Sequence, residues 1–294
     1  MDPIWTGRLL LTGSDRSEYL QGLLTNDIAA LTPGTGCYSA MLNAQGRMLT
    51  DMYVFELGDI TLLTLPAIVT PSIREHLDRF IFSEDVQVQD VSESRAQIGL
   101  YGPQVREVMA GAALGGPQVV VVSSDRFGLD GFDVFVDQAS APAAREALVK
   151  AGAVPATEAD VETVRVERGR PRWGADLDTD TIPLEAGIED RAISRTKGCY
   201  VGQEVIVRVL DRGHGRVARR LVGLRFDPAA PVPAAGAHVM SKDREIGRVT
   251  SAVWSPALAC PVALGYVHRD FFEPGTAVQV AGANATVSAL PFRA

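Results

Sequence analysis

Lys197-Gly198-Cys199-Tyr200-Val201-Gly202-Gln203-Glu204 gathers a lysine, two glycines, a thiol, an aromatic ring and two polar side chains into eight residues. No helix or strand core demands that mixture. Glycines allow close backbone approach or positive φ. Lys197 and the arginines around it would favour a thiolate at Cys199, as would a helix beginning near Gly202 with Cys199 at its mouth. Free cysteine also packs as a small hydrophobe, so these residues alone leave a reactive thiol and an inert one equally open.

A second chemical feature overlaps the first. From Arg191 to Arg220 the chain has eight basic residues (Arg191, Arg195, Lys197, Arg208, Arg212, Arg216, Arg219, Arg220) against two acids, Glu204 and Asp211, although the whole protein carries a net charge of −8. Such a segment attracts anions: a phosphate, a polyglutamate tail or RNA. The competing expectation is a solvated face paired with acids elsewhere. Gly213-His214-Gly215-Arg216-Val217-Ala218 matches GxGxxG/A formally, but the strand-like Arg219–Gly223 follows where a dinucleotide site needs a helix, so a Rossmann reading is rejected. His76, His214, His238 and His268 show neither HExxH spacing nor a Cys/Asp cluster, and no metal site is predicted. A GxSxG elbow and a P-loop are both missing from the sequence.

The elements that must position these groups read as α+β. Arg8–Leu11 is a short apolar run. Asp15 with Glu18 resembles a capping box opening a helix with Tyr19, Leu20, Leu23 and Leu24 on its stripe. Strands are predicted over Cys37–Leu42 and Met48–Leu57, joined by the turn Asn43-Ala44-Gln45-Gly46, then over Ile60–Leu65, with a helix at Pro71–Phe82. Further strands at Ala96–Tyr101, Val119–Val122 and Phe132–Val136 alternate with helices at Pro103–Ala110 and Ala141–Ala151, a ferredoxin-like module. Thr157 and Asp160 form another capping box, opening a helix through Glu167 that stops at Gly169-Arg170-Pro171. From Arg219 onward, six short runs between Pro- and Gly-rich turns predict a small all-β barrel or sandwich. The expected organisation is a discontinuous α+β domain, 1–85 plus 155–218, a second α+β domain, 86–154, and a C-terminal barrel, 219–294.

Composition bounds the class. At 294 residues, two or three domains are expected, and 46% hydrophobic with 22% charged residues is ordinary globular chemistry, which excludes a disordered chain, a collagen repeat or a coiled coil. Apolar runs are too short to span a membrane, and the N-terminus has no secretory pattern. Three cysteines, Cys37, Cys199 and Cys260, are odd in number and far apart, which predicts reduced thiols in a cytoplasmic protein.

The octapeptide at 197–204 resembles the signature of the YgfZ-type folate-binding proteins, relatives of the glycine-cleavage T-protein (aminomethyltransferase) and bacterial counterparts of mitochondrial iron–sulfur assembly factors. Four other segments carry the resemblance in order. Leu20-Gln21-Gly22-Leu23-Leu24-Thr25-Asn26-Asp27 resembles the early FLQ…TND segment, and Gly46-Arg47-Met48-Leu49-Thr50-Asp51 the glycine-led hairpin before the acidic position. Arg165-Val166-Glu167-Arg168-Gly169-Arg170-Pro171, with Ile182-Pro183-Leu184-Glu185 beyond it, resembles R-x-E-x-G-x-P and the following P-x-E. Gly247-Arg248-Val249-Thr250-Ser251 resembles the G-x-V-T-S turn of the terminal barrel.

The resemblance implies an α+β protein of three domains arranged as a ring, binding tetrahydrofolate or a one-carbon derivative. A pterin presents adjacent N–H donors that one carboxylate can accept, and Glu167 is the family-matched carboxylate. Asp51, Tyr200 and Lys197 complete the expected cofactor-binding set, with Tyr101 and Trp173 as further aromatic walls and the 191–220 segment for the glutamate tail. Cys199 is the expected functional thiol and Asp51 the expected acid–base group. T-protein carries two consecutive acids where this chain has Thr50-Asp51, and lacks the cysteine motif in this form. The implied function is therefore assistance in assembling or repairing iron–sulfur clusters, including those of tRNA-modifying enzymes, with iron–sulfur client or assembly proteins as partners. The alternatives are a folate-dependent aminomethyltransferase and a tRNA-binding accessory protein that uses the basic segment.

Overall fold

The computed structural model describes residues 6–115, 119–212 and 216–293. The chain divides into two compact units: the residues up to Ala44 with Leu49–Ala156 and Arg191–Val201, and Gln45–Met48 with Thr157–Asp190 and everything from Gly202.

In the first unit, strands β1 (Thr6–Thr12), β2 (Thr35–Leu42), β3 (Met48–Glu56), β4 (Thr61–Pro66) and β5 (Gln87–Asp90) form one sheet in the order β2-β3-β4-β1-β5. Helix α1 (Arg16–Leu23) buries Tyr19, Leu20 and Leu23, and α2 (Thr70–Arg79) buries Ile73 and Leu77; both helices share a core with Leu9, Leu11, Met52 and Val54. Alternation along β3 sends Tyr53 and Phe55 to the opposite face from Met52 and Val54. There Tyr53 stacks on Phe55 at 6.2 Å, and Phe55 meets Phe135 edge-on at 5.6 Å.

Phe135 belongs to the second sheet of this unit, ordered β6-β8-β7 from β6 (Arg95–Tyr101), β7 (Val120–Ser123) and β8 (Gly131–Asp137). Helices α3 (Val105–Gly111) and α4 (Ala141–Lys150) cover it, with Val108, Ala144 and Leu148 packed against Ile98 and Val134. The predicted elements here fall within two residues of those observed. The capping box at Asp15 does not form: the Asp15 carboxylate accepts the backbone N–H of Asp85 at 2.8 Å instead, a long-range bond that outcompetes the local one.

The second unit opens with helix α5 (Glu158–Glu167), where the Thr157/Asp160 capping box is present with both reciprocal bonds. Short helical turns α6 (Pro183–Ala186), α7 (Glu189–Ala192) and α8 (Gln203–Val207) follow along the chain, α7 ending just inside the first unit's segment. Strands β9 (Arg219–Phe226), β10 (His238–Ser241), β11 (Arg244–Ser255), β12 (Cys260–His268), β13 (Ala277–Val280) and β14 (Ala283–Ser288) close into a barrel in the order β10-β11-β12-β9-β14-β13. Val166 of α5 packs on the barrel wall with Leu221, Cys260, Val262 and Leu264. Gly213–Gly215, the centre of the GxGxxG match, lie outside the described residues, and the strand expected after them is β9. No helix among the described residues is long and apolar enough to cross a membrane.

The hairpin turn between β2 and β3 needs its glycine. Gly46 has φ +73°, and a Cβ there would stand 2.8 Å from Cβ of Val205.

Candidate functional site

Asp51 sits on β3, and the two-residue spacing places Tyr53 on the same face of the strand. Across on β2, Tyr38 presents its ring to Tyr53, the centroids 5.0 Å apart, and donates its phenol hydroxyl to Oδ2 of Asp51 at 2.9 Å. Oδ1 of Asp51 is shielded from solvent and has no hydrogen-bond partner among the described residues.

Two guanidinium groups flank this pair. Arg191 lies over the Tyr38 ring at 4.6 Å and donates to the Tyr53 hydroxyl at 3.0 Å. Arg126, from the loop between β7 and β8, lies over the Tyr53 ring at 4.2 Å. It is anchored by Thr64 Oγ1 at 3.1 Å and by Asp133, fully buried, at 3.3 Å; Tyr101 donates its hydroxyl to the other oxygen of Asp133 at 2.9 Å. Burial opposes the charge of Arg126, but Asp133, Tyr101 and Tyr53 together outweigh it and hold the guanidinium pKa above its ordinary value. Burial pushes the Asp51 carboxyl above the usual carboxylate range, and the Tyr38 hydrogen bond, its own backbone N–H and the two arginines only partly offset that.

The arrangement can hold an aromatic or polar ligand against two tyrosines and exchange a proton with it through one poised carboxyl. Tyr38, Tyr53, Arg126 and Arg191 were not among the expected site residues. Tyr53 had a signal, the Asp51-x-Tyr53 spacing on one strand face. Arg126 had none, because a loop about 75 residues away in sequence delivers it.

The other expected residues distribute differently. Lys197, expected at the cofactor, donates its ammonium to three backbone carbonyls, Gln21 at 2.6 Å, Leu24 at 2.5 Å and Asn26 at 2.9 Å. These lie at the C-terminal end of α1, where carbonyls lack intrahelical partners, so Lys197 caps that helix. Burial lowers its pKa to about 8, with Asp27 opposing the fall. Lys197→Met should therefore lower stability by about 1.5–3 kcal/mol, the scale of losing charge-assisted hydrogen bonds to buried carbonyls. Urea denaturation followed by circular dichroism checks this.

Tyr200 is buried, with the Lys197 ammonium 5.1 Å from its ring centroid. Cys199 is exposed, Cys37 half-buried and Cys260 buried. Glu167, in the second unit, ends α5; Ser255, itself fully buried, donates to its Oε1 at 2.5 Å and orients the carboxylate. Tyr101 is tied to Asp133 and Phe127, so the ring wall beside Asp51 is built by Tyr38 and Tyr53 instead.

The basic segment is less free than its charge suggested. Arg191 and Lys197 are engaged as described, Arg219 pairs with Glu185 at 3.1 Å, and Arg220 with Glu189 at 3.0 Å. Among the described residues no group of three or more His, Cys, Asp or Glu side chains gathers to hold a metal ion.

Two mixed α/β sheets and a closed barrel, with a buried acid framed by aromatics, define a fold class that known proteins share. Residues 1–114 match the GCVT N-terminal domain, and residues 219–293 match the glycine cleavage T-protein C-terminal barrel domain. The chain is 31% identical to an aminomethyltransferase of Saccharopolyspora erythraea over 97% of its own length and 84% of that protein. An aminomethyltransferase of a Nostoc species is 30% identical over 93% of this chain and 78% of that one. The solved aminomethyltransferase T of the glycine cleavage system from Bartonella henselae superposes with a TM-score of 0.88 at 26% identity, covering 98% of this chain and 84% of that one. The chain belongs to the aminomethyltransferase (glycine cleavage T-protein) family. These relatives favour the aminomethyltransferase alternative over the iron–sulfur assembly role that the cysteine motif put first.

Proposed function

We propose that this protein binds a reduced folate and promotes transfer of a one-carbon unit to or from it, in the manner of an aminomethyltransferase. The observation that carries the reading is Asp51: one oxygen fixed by Tyr38, the other unpaired, and the carboxyl held by burial above its ordinary pKa.

The residues suit such a ligand. Tyr38 and Tyr53 supply a ring wall against which a flat heterocycle packs. The unpaired Oδ1 of Asp51 is an acceptor awaiting an N–H. In the second unit Glu167, oriented by Ser255, is a carboxylate able to accept from a pterin's adjacent donors. Tetrahydrofolate supplies nitrogen atoms that carry the one-carbon unit. Asp51 gives or takes the proton at the nitrogen where the unit departs, and Tyr38 keeps the carboxylate turned toward it. Burial around the tyrosines limits the access of water, which strengthens each of these contacts.

A second reading rests on Cys199, the exposed cysteine within the lysine–glycine–cysteine segment. In that reading the folate site is kept and the thiol meets a sulfur, a cluster or a client protein's thiol during iron–sulfur assembly.

Calorimetric titration with tetrahydrofolate separates these readings. Wild type should bind, Glu167→Ala should bind at least about tenfold more weakly, and Cys199→Ser should bind as wild type does. Methylene-folate formation from an aminomethyl donor, undiminished in Cys199→Ser, would support the first reading. Loss of cluster-enzyme support in Cys199→Ser, with no such turnover in wild type, would support the second. An absence of folate binding to wild type would defeat both.

A further inference from the structure

Arg126 carries a positive charge from the loop between β7 and β8 onto the first sheet, over the Tyr53 ring at 4.2 Å and against Thr64 of β4 at 3.1 Å. Behind it stands Asp133 of β8, which is fully buried. One oxygen of Asp133 accepts from the guanidinium at 3.3 Å, and the other accepts from the Tyr101 hydroxyl of β6 at 2.9 Å. Such a pair is a poor source of stability, because apolar side chains of similar volume fill the same space with little loss. Its place in the fold gives it another use. It links the second sheet to the tyrosine that packs on Tyr38, and Tyr38 is the hydrogen-bond partner of Asp51.

The charges around Asp51 are not equally balanced. Tyr38 faces it from β2, Tyr53 stands two residues along β3, Arg191 of α7 covers Tyr38 and Arg126 covers Tyr53. Asp125 lies 4.0 Å from Arg191 and is largely solvent-exposed, so water screens it. Asp133, with Tyr101 bonded to it, lies against Arg126 and away from water. Burial favours the protonated form of Asp51, and both guanidinium charges oppose it. A bare charge acts over a longer range than a charge held against its opposite, because the two fields largely cancel. Asp133 therefore decides how much of the Arg126 charge Asp51 meets.

We propose that Asp133 is a positioning residue for the proton of Asp51: it holds Arg126 on Tyr53 and cancels much of its charge, which lets the β3 carboxyl take up a proton. The effect on Asp51 stands by itself. Its consequence for one-carbon transfer rests on the folate reading above.

The test titrates the isotope-labelled aspartate carboxyls of the full-length chain by NMR, with Asp51→Asn assigning the resonance. Asp133→Asn keeps the shape and both neighbours, since its oxygen accepts from Arg126 and its amide donates to the Tyr101 hydroxyl, but it carries no charge. The Asp51 titration should then move to lower pH by about one unit. Arg126→Met removes the opposite charge and should move it to higher pH by about as much. The double variant loses both charges and should titrate close to wild type, a restoration that a merely structural role for Asp133 does not give. Should Arg126→Met fail to fold, Asp133→Asn and the double variant decide. Under the folate reading, the limb of the pH–rate profile that reports Asp51 moves with the titration in each variant.

An Asp51 titration that is unmoved or raised in Asp133→Asn overturns the proposal, as does a double variant that stays where Asp133→Asn alone puts it. The expected shifts, in a protein that transfers no one-carbon unit at any pH, uphold the proposal and count against the folate reading. One-carbon transfer with an Asp51 titration indifferent to Asp133→Asn overturns the proposal and leaves the folate reading standing.

Discussion

Asp51→Asn is expected to slow one-carbon transfer by about three orders of magnitude, the usual weight of a general acid–base group, while raising the melting temperature. The first effect follows because an amide neither gives up nor takes up a proton near neutral pH. The second follows from the sign of the pKa shift. Burial raises the folded-state pKa of Asp51, so the folded protein binds this proton more tightly than the unfolded chain does. The stability it contributes is full below the unfolded carboxyl pKa and is lost as pH rises through the folded value. Above the folded value the ionised carboxylate is a cost that the Tyr38 hydroxyl, a backbone N–H, Arg126 and Arg191 do not fully cancel. Asparagine keeps the shape, and its carbonyl oxygen still accepts from Tyr38. The variant's melting temperature should thus exceed that of wild type at neutral pH, and the gap should close in acid. Melting curves across pH, beside single-turnover rates, read both effects. Equal melting temperatures at every pH would show that the carboxylate is already well solvated or well paired. An undiminished rate would remove Asp51 from the chemistry.

Local pattern carried the elements but not their closure. Alternation along β2 and β3, the Thr157/Asp160 cap and the Gly46 turn were all legible in the sequence, because neighbouring residues decide them. Asp15 and Glu18 have the same local signature as Thr157 and Asp160, yet a backbone N–H some 70 residues away takes the Asp15 carboxylate. The choice between barrel and sandwich depended on β10 pairing with β13 and β14 with β9, contacts across the whole terminal segment that no short window contains.

The site divides in the same way. Asp51 could be found from the glycine-led hairpin that presents it. Arg126 and Arg191 could not, since β8, β4 and α7 must first come together around Tyr53. Lys197 shows the opposite case: a residue inside the most distinctive motif of the sequence serves the end of α1, and only the carbonyls of Gln21, Leu24 and Asn26 reveal it.

Asp176→Ala should destabilise the protein by about 3–5 kcal/mol, the largest single loss expected from the second unit. Asp176 is buried and accepts from four groups: the Arg165 guanidinium at 2.6 Å, the Ser251 hydroxyl at 2.8 Å, the backbone N–H of Arg172 at 3.0 Å and the Thr250 hydroxyl at 2.5 Å. Its own carbonyl receives the Tyr266 hydroxyl at 2.9 Å. Arg165 is 5% exposed at its side chain and also reaches Glu162, Ser251 and the Arg170 carbonyl. Truncating Asp176 removes the fully buried one of the two carboxylates that neutralise Arg165, leaving Glu162, Ser251 and the Arg170 carbonyl, and the loss of that buried counter-charge is what costs most. Asp176→Asn should lose less, since it retains shape and one acceptor. The double variant Asp176→Leu with Arg165→Met should also lose less than Asp176→Ala alone, because the buried guanidinium goes with its partner and Glu162, partly exposed, keeps Arg172 at 3.6 Å. Denaturant titrations of the three variants give this ordering directly. A ranking in which the double variant is the least stable would mean that the ion pair contributes through its geometry more than through avoided desolvation. Arg165 lies two residues before Glu167 on α5, so the network also fixes the turn that aims that carboxylate. Under the folate reading, Asp176→Ala should therefore weaken tetrahydrofolate binding well below its melting temperature, with the Glu167 side chain itself untouched.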